Sequence, residues 1–344
     1  MSSDQSKSRE PLHKTSHKAS RDAVREPAHE ATPEPVADTQ WTTRPERGSM
    51  FMLKLMTWIS LRLGRPVARL VLHLITIYFL VFPGAARRAS QDYLQRVLGR
   101  RPTLLDHYRH VFTFAATIHD RVYLINNRYD IFDIEVHNEQ LVHDVLTEAR
   151  GAFLIGAHVG SFEVIHAAGQ RHRGLRTAMV MFEENARKLN AMLTAINPSL
   201  RQDIIALGRI DTMLTVRDRL EQGTVLSMLA DRTLSSDTTM AAPFLGQTAN
   251  FPTGPFRMAA LLQRPVIFMV GLYLGGNRYS IYFERLADFT DTPAGERNAA
   301  IETAINRYAA LLEHYCRLAP YNWFNFFDFW GTSTLAQKDT TDRL

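Results

Sequence analysis

A histidine and a glutamate five residues apart, His158 and Glu163, follow an apolar run in the segment 153–163, FLIGAHVGSFE. On a regular helix two such residues point about 140° apart, because each step turns about 100°. If 152–157 is a strand and 161–172 a helix, however, the first helical turn can fold Glu163 back toward His158. That arrangement suits a histidine general base, oriented by a carboxylate, that deprotonates a hydroxyl for attack on a carbonyl carbon.

The residues around this histidine fit the same chemistry, although the pair alone does not decide it. Gly156 and Gly160 permit a close backbone approach or an unusual φ angle. Gly160 and Ser161 begin the helix, and we expect N–H groups at this helix start to contact the substrate and to hold developing negative charge. A histidine and a glutamate at this spacing also occur often by chance, and a histidine at a strand end is commonly structural.

A second strand end carries Asp231 and Arg232, within the segment 228–246, MLADRTLSSDTTMAAPFLG. Open α/β sheets place their sites at the carboxyl ends of the strands, so we expect both residues at the same edge as His158. Arg232 suits contact with a phosphate or with the carbonyl region of a substrate, and we predict that Asp231 beside it also belongs to the substrate-binding residues. The alternative is a local Asp231–Arg232 ion pair that pins a loop.

Two further segments could contribute to a binding site. In 249–262, ANFPTGPFRMAALL, Gly254 lies between two prolines at the start of a predicted helix. This start suits contact with an anion or an acyl carrier, and it is equally compatible with an ordinary helix start. The aromatic segment 319–330, APYNWFNFFDFW, either closes the core, which we favour, or lines an apolar channel or faces a membrane.

Several function classes lose support from the sequence. It contains no G-x-x-x-x-G-K-[ST] loop, no G-x-G-x-x-G before a helix, no H-E-x-x-H and no G-x-S-x-G. Nucleotide triphosphatases, dinucleotide enzymes, zinc proteases and α/β-hydrolases are therefore disfavoured. The single cysteine, Cys316, cannot form an internal disulfide, which favours a reducing compartment.

The elements that must position these residues alternate along the chain. Short runs rich in Val, Ile, Phe and Met predict strands at 132–137, 152–157, 176–182, 203–207, 224–230, 265–273 and 279–286. Helices are predicted at 139–150, 161–172, 184–196, 211–222, 254–263 and 294–318. This alternation predicts an α/β fold with a central, mixed sheet flanked by helices, and the last two strands predict an antiparallel hairpin.

The amino-terminal part predicts a tail and a membrane-associated segment. Residues 1–48 carry eight basic and eight acidic side chains and few aliphatic ones, which predicts a disordered tail. Residues 49–110 carry ten basic side chains and two acidic ones around apolar runs, which favours an anionic membrane surface over nucleic acid. The apolar run 67–82 spans about 24 Å as a helix against about 30 Å of hydrocarbon, so a marginal span and an interfacial helix both remain open. We predict anchor helices at 49–86, a catalytic domain at 87–331 and a flexible tail at 332–344.

Taken in order, four segments resemble one family: GAFLIGAHVGSFEVIHA, VLSMLADRTL, APFLGQTANFPTGPFRMAALLQRPVIFMV and APYNWFNFFDFW. The chain resembles the bacterial lipid A biosynthesis (lauroyl/myristoyl) acyltransferases of the lysophospholipid acyltransferase superfamily. Within them it looks most like their predicted glycolipid and polyene-lipid acyltransferase relatives. The resemblance runs from about residue 58 to 330, and the conjunction of the motifs is more specific than the His–Glu pair.

The resemblance implies an α/β acyltransferase sandwich with membrane-associated amino-terminal helices, on the cytoplasmic face of the bacterial inner membrane. It implies that His158 is the catalytic base, that Glu163 is its acidic partner, and that Arg232 holds the donor or acceptor with Asp231 beside it. The donor would be an acyl thioester on acyl carrier protein or coenzyme A, the acceptor a lipid or glycolipid hydroxyl, and no metal or redox cofactor is implied. A thioesterase and an inactive lipid-binding protein remain the alternatives.

Overall fold

The computed structural model describes residues 47–82, 84–148, 151–171, 176–197, 203–208, 211–233 and 237–331. The helices in these ranges are α1 (Arg47–Leu63), α2 (Arg65–Val81), α3 (Ala85–Leu98), α4 (Leu104–Ile125), α5 (Glu139–Glu148), α6 (Phe162–Arg171), α7 (Glu183–Ile196), α8 (Thr212–Glu221), α9 (Gly254–Leu261) and α10 (Arg297–Leu318). The strands are β1 (Asp133–His137), β2 (Ala152–Gly156), β3 (Thr177–Phe182), β4 (Ile204–Leu207), β5 (Val225–Leu229), β6 (Thr239–Phe244), β7 (Gln247–Pro252), β8 (Pro265–Gly275) and β9 (Arg278–Asp288).

The central feature is a seven-stranded sheet in the order β1-β9-β8-β2-β5-β3-β4. Its strands pair in parallel, except for the antiparallel β8–β9 hairpin. The predicted mixed α/β fold and the predicted carboxyl-terminal hairpin are therefore confirmed. β2 lies between β8 and β5, which places the end of β2 near the middle of the sheet.

The core occupies both faces of this sheet. Along β2, Phe153 and Ile155 point into the cluster formed with α3, α8, α9 and α10, whereas Ala152 and Leu154 point into the cluster formed with α2, α4, α5 and α6. This alternation follows from the two-residue period of a strand, and burial on both faces explains the continuous apolar run that the sequence shows. The sheet is thus the middle layer between two helical layers.

A separate two-stranded hairpin, β6–β7, was not predicted from the sequence. Its turn places Leu245 and Gly246 at φ angles of 50° and 82°, as tight hairpin turns require. Leu245 is held there because its backbone N–H donates to Glu313 Oε2 on α10 at 2.6 Å. β7 then leads directly into Thr253 and the start of α9, so the hairpin fixes that helix start.

The amino-terminal helices pack on the α4 side of the domain. The predicted tail at 332–344 lies outside the described residues. The predicted tail at 1–48 also lies outside them, except for residues 47 and 48, which begin α1. Within the described ranges, no single helix has both the length and the apolar content needed to cross a bilayer; Arg65–Val81 and Ala85–Leu98 meet that test only when taken together, and they are bent by 95°.

Candidate active site

Two neighbouring strand ends bring a histidine and an aspartate together. β2 and β5 are parallel neighbours in which Gly156 pairs with Leu229, so residues 158 and 231 both lie two positions beyond the paired ends. His158 Nδ1 lies 2.8 Å from Asp231 Oδ1, and the His158 backbone N–H donates to Asp231 Oδ2 at 2.9 Å. The same carboxylate therefore holds both the ring and the backbone of His158.

The electrostatics of this pair keep Asp231 charged and His158 neutral. Burial alone would raise the pKa of Asp231, but His158, Arg232 and the indole of Trp323 together hold it well below its usual range. Burial and the Arg232 charge lower the pKa of His158, against the opposing effect of Asp231. An ionised Asp231 can only accept a hydrogen bond, so Nδ1 of His158 carries the proton and donates, which leaves the lone pair of the neutral imidazole on Nε2. His158 is thus prepared to act as a base at neutral pH.

Glu163 does not occupy the position that the sequence predicted for it. Its Oε1 lies 2.6 Å from Nε of Arg121 on α4, and its Oε2 accepts a hydrogen bond from Ser161 at 3.3 Å. The expectation that Glu163 folds back onto His158 is therefore wrong: the carboxylate on the ring belongs to Asp231. The physical reason is that a parallel neighbour strand brings a residue 73 positions away closer than the first turn of the next helix does.

The helix start after His158 is also arranged differently from the prediction. The Gly160 N–H donates to the Asn322 carbonyl and the Ser161 N–H to the Gly271 carbonyl, both at 2.8 Å. These two amides are therefore occupied, and the expectation that they hold substrate charge is wrong. Ser161 is buried, and its hydroxyl accepts the Val164 N–H as a cap for α6, so its predicted substrate contact has no support in its position.

The glycines near His158 serve close packing against β8. Gly160 adopts a φ of +65°, and a Cβ at this position would overlap the Gly271 carbonyl oxygen. A Cβ at Gly156 would lie 2.9 Å from the Met269 carbonyl oxygen. The predicted close backbone approach is confirmed at both positions, and it seats the end of β2 tightly on the neighbouring strand.

Arg232 lies beside the pair without forming the loop-pinning ion pair that was the alternative. One of its terminal nitrogens donates to the Phe324 carbonyl at 3.3 Å, and its guanidinium lies 5.6 Å from the centre of the Phe327 ring. Its Nε is buried and has no hydrogen-bond partner among the described residues. The surrounding protein lowers the pKa of Arg232 mainly through burial, which Asp231 partly offsets.

These residues line a cavity of about 690 Å³. The polar part of its wall includes Arg121, His158, Glu163, Arg232, Asp237 and Arg257. The apolar part includes Met179, Met181, Leu207, Met213, Met228 and Met258. Gly160 and Gly254 also lie on the wall, Gly254 at the start of α9. A volume of this size is typical of sites for small molecules. A wall that contains both charged and apolar side chains suits a ligand with a polar reactive group and an apolar chain.

Two residues of this site were not identified from the sequence. Arg121 lies near the carboxyl end of α4, and nothing in its local pattern distinguishes it from any other helical arginine. Trp323 donates its indole N–H to Asp231 Oδ2 at 2.9 Å, whereas the aromatic richness of 319–330 favoured a place in the core and left a channel lining and a membrane-facing patch as alternatives. The predicted core position is confirmed for Trp323, which is fully buried, whereas Phe324 of the same segment lines the cavity.

Comparison with known families agrees with this geometry. The family model described as bacterial lipid A biosynthesis acyltransferase matches residues 39–332. The chain belongs to this family. Members of the bacterial lipid A biosynthesis acyltransferase family are acyltransferases, which act with an acyl donor and a lipid acceptor and are typically membrane-associated. A comparison with curated proteins finds no match.

Within this acyltransferase, the matched region includes each element that lines the cavity. No group of three or more His, Cys, Asp or Glu side chains is placed to hold a metal ion in the ranges that the structure describes.

Proposed function

We propose that this acyltransferase moves a fatty acyl group from a thioester, on acyl carrier protein or coenzyme A, to a hydroxyl of a lipid or glycolipid acceptor. The observation that carries the proposal is the 2.8 Å contact between His158 Nδ1 and Asp231 at the wall of a cavity whose lining is largely apolar. A base oriented in this way, beside a space for an alkyl chain, fits the transfer of an acyl group to an alcohol.

The reaction follows from the two nitrogens of His158. Nε2 takes the proton from the acceptor hydroxyl while the hydroxyl oxygen attacks the thioester carbonyl carbon. Asp231 remains ionised and holds the Nδ1–H, which stabilises the imidazolium that forms. When the carbon–sulfur bond breaks, Nε2 returns the proton to the departing thiolate. The products are an ester and a free thiol.

The tetrahedral intermediate carries a negative charge that needs a partner. Arg232 lies on the cavity wall, and its positive charge acts on His158 more strongly than that of Arg121 does. We assign the stabilisation of this oxyanion to Arg232, because the amides of Gly160 and Ser161 are occupied. Glu163 keeps a place in the site as the residue that fixes Arg121 at the cavity wall.

The apolar part of the wall provides space for the fatty chain. Met179 and Met181 on β3, Leu207 on β4 and Met258 on α9 contribute to it. Methionine side chains are flexible and polarisable, so a wall of this kind adapts to an alkyl chain. Gly254 and its neighbours at the start of α9 place backbone beside the same cavity, where the polar portion of a substrate passes.

A second part of the proposal concerns the membrane. Helix α2 turns its arginines inward: Arg65 forms two hydrogen bonds with buried Asp120, and Arg69 bonds the Tyr273 hydroxyl. Its large apolar side chains face outward and are half or more exposed at Leu70, Leu74, Ile77, Tyr78, Phe79 and Val81. A helix facing water shows the opposite pattern. We propose that this face of α2 lies in the lipid interface on the cytoplasmic side of the bacterial inner membrane, flanked by Arg62, Arg87 and Arg88.

The transfer reaction is tested with purified protein and a labelled acyl thioester, with and without a lipid extract in detergent micelles. We expect label to enter a lipid, and His158→Ala to slow this by at least about 10²-fold. His143→Ala, at an exposed histidine on α5, is the matched control and keeps the wild-type rate. Full activity of His158→Ala contradicts the mechanism. Release of free fatty acid at the same rate without lipid contradicts the acceptor assignment and indicates a thioesterase.

A further inference from the structure

One aromatic residue that no sequence motif marked as functional touches the catalytic carboxylate directly. Trp323 Nε1 donates to Asp231 Oδ2 at 2.9 Å, on the oxygen that also accepts the His158 backbone N–H. Within the part of the chain that the structure describes, Asp231 Oδ1 is thereby left to the ring of His158. Both side chains are buried, with Trp323 fully so, and in such surroundings a hydrogen bond to a charged group is stronger than in water.

We propose that Trp323 is a positioning residue: its indole N–H fixes the rotation of the Asp231 carboxylate and so holds the His158 proton on Nδ1. The inference rests on the proposed function, because it assigns a role within the same site. An aspartate carboxylate has two equivalent oxygens and rotates about the Cβ–Cγ bond unless hydrogen bonds hold both oxygens. With Trp323 in place, the oxygen that faces the ring is fixed.

The segment that carries this tryptophan is itself fastened to the site. Phe324 donates its N–H to the His158 carbonyl at 2.9 Å, and the Gly160 N–H donates to the Asn322 carbonyl. The side chain of Asn322 bonds both the N–H and the carbonyl of Tyr273 on β8, at 2.8 and 3.1 Å. The backbone on either side of Trp323 therefore has a fixed position relative to His158.

The carbonyl of Trp323 is held from the opposite side by a buried histidine. His110 Nε2 lies 2.8 Å from this carbonyl, and its Nδ1 lies 2.8 Å from the Ser90 hydroxyl. Burial lowers the pKa of His110 to about 4, so the ring is neutral, donates from Nε2 and accepts from Ser90 at Nδ1. A chain of contacts therefore runs from Ser90 through His110 and Trp323 to Asp231.

The aromatic cluster around Trp323 supplies a matched control. Trp330 lies 6.0 Å from Trp323 between ring centres, and both contact Phe244 and Phe329. The Trp330 Nε1 is buried without a hydrogen-bond partner among the described residues. Replacing either tryptophan with phenylalanine removes similar aromatic volume, but only one replacement removes a donor to Asp231.

The test compares Trp323→Phe with Trp330→Phe in the acyl-transfer assay over a range of pH. We expect Trp323→Phe to lower kcat about ten-fold with little change in KM, the effect of losing one hydrogen bond to a charged group. The acid limb of kcat/KM should also move to higher pH, because a carboxylate that has lost a donor attracts the imidazolium proton more strongly. Asp231, Arg232 and Arg121 are the charged groups acting on His158, and neither replacement removes one of them. Trp330→Phe should change neither quantity.

Equal kcat values and equal acid limbs for the two variants would overturn the proposal. If Trp323→Phe does not fold, 3-benzothienylalanine at position 323 replaces the indole N–H with sulfur and keeps the ring shape, and the same two outcomes apply. His158→Ala in the same assay distinguishes a failure of the Trp323 role from a failure of the proposed function. If His158→Ala is inactive while the two tryptophan variants have equal kcat values and equal acid limbs, only the role of Trp323 fails. If His158→Ala is active, the proposed function fails as well.

Discussion

Replacing Asp231 with asparagine tests the His158–Asp231 pair most specifically. Three N–H groups point at this carboxylate: two at Oδ2, from the His158 backbone and Trp323, and one at Oδ1, from the His158 ring. An asparagine amide has one oxygen and one NH₂ group. The oxygen must take the Oδ2 position, because an NH₂ group there would face two donors. The NH₂ group then donates to Nδ1 of His158 and forces the ring proton onto Nε2.

This change of tautomer removes the lone pair that the mechanism needs. General-base catalysis typically contributes about 10²–10⁴ in rate, which is about 2.7–5.4 kcal/mol of activation free energy at 1.36 kcal/mol per ten-fold. We therefore expect Asp231→Asn to lower kcat by that factor, while the thermal unfolding midpoint changes little because each of the three polar contacts is kept.

The assay combines acyl-transfer rates with nitrogen-15 NMR of the His158 ring, which reports the tautomer. Glu163→Gln is the comparison variant, and we expect it to keep the Nδ1–H tautomer and to lose much less activity. The reasoning is refuted if Asp231→Asn stays within ten-fold of the wild type, or if Glu163→Gln changes the tautomer and Asp231→Asn does not.

Three other predictions follow from the same structure. Burial and Arg232 lower the pKa of His158, and the base must be neutral to act. Activity should therefore persist below the ordinary histidine pKa of about 6.5 and fall only as pH drops through the lowered pKa of His158. A pH–rate profile whose acid limb lies above about 6.5 contradicts this prediction. Gly160→Ala should lower the free energy of unfolding by at least about 2 kcal/mol through the φ of +65° and overlap with a β8 carbonyl, whereas Gly295→Ala, with open space around it, should not; equal denaturant midpoints refute the packing argument. Leu74→Glu should reduce binding to anionic vesicles several-fold without unfolding the protein, and Leu318→Glu, similarly exposed on α10, should not; equal sedimentation of both variants with vesicles contradicts the α2 interface.

Most of the sheet could be predicted from the sequence because its strands are buried on both faces. Each central strand is then a short apolar run bounded by glycine or polar residues, and each predicted strand lies within a residue or two of an observed one. The β6–β7 hairpin was not predicted because its strands are not buried on both faces and form no continuous apolar run. Its strands contain Ala, Thr, Pro and Asn, their outer faces are exposed, and their apolar residues are too few to produce an alternating pattern.

The candidate active site was predicted in part. His158, Asp231 and Arg232 were all placed at strand ends; in the structure His158 and Arg232 line one cavity, and buried Asp231 bonds the ring of His158. Their pairing was not predictable without the strand order: β2 and β5 are adjacent although β3 and β4 lie between them in the chain. Sequence proximity therefore favoured Glu163 as the partner, while the parallel register favours Asp231.

The central claim is that His158 drives acyl transfer to a lipid hydroxyl. Its most direct test is mass spectrometry of total lipids from cells that express either the wild type or His158→Ala at equal levels in place of the native gene. The account predicts that one lipid species in the wild type is replaced, in His158→Ala cells, by a form that is lighter by one fatty acyl group. Identical lipid profiles in the two strains, with the wild-type protein shown to be present and folded, would contradict it.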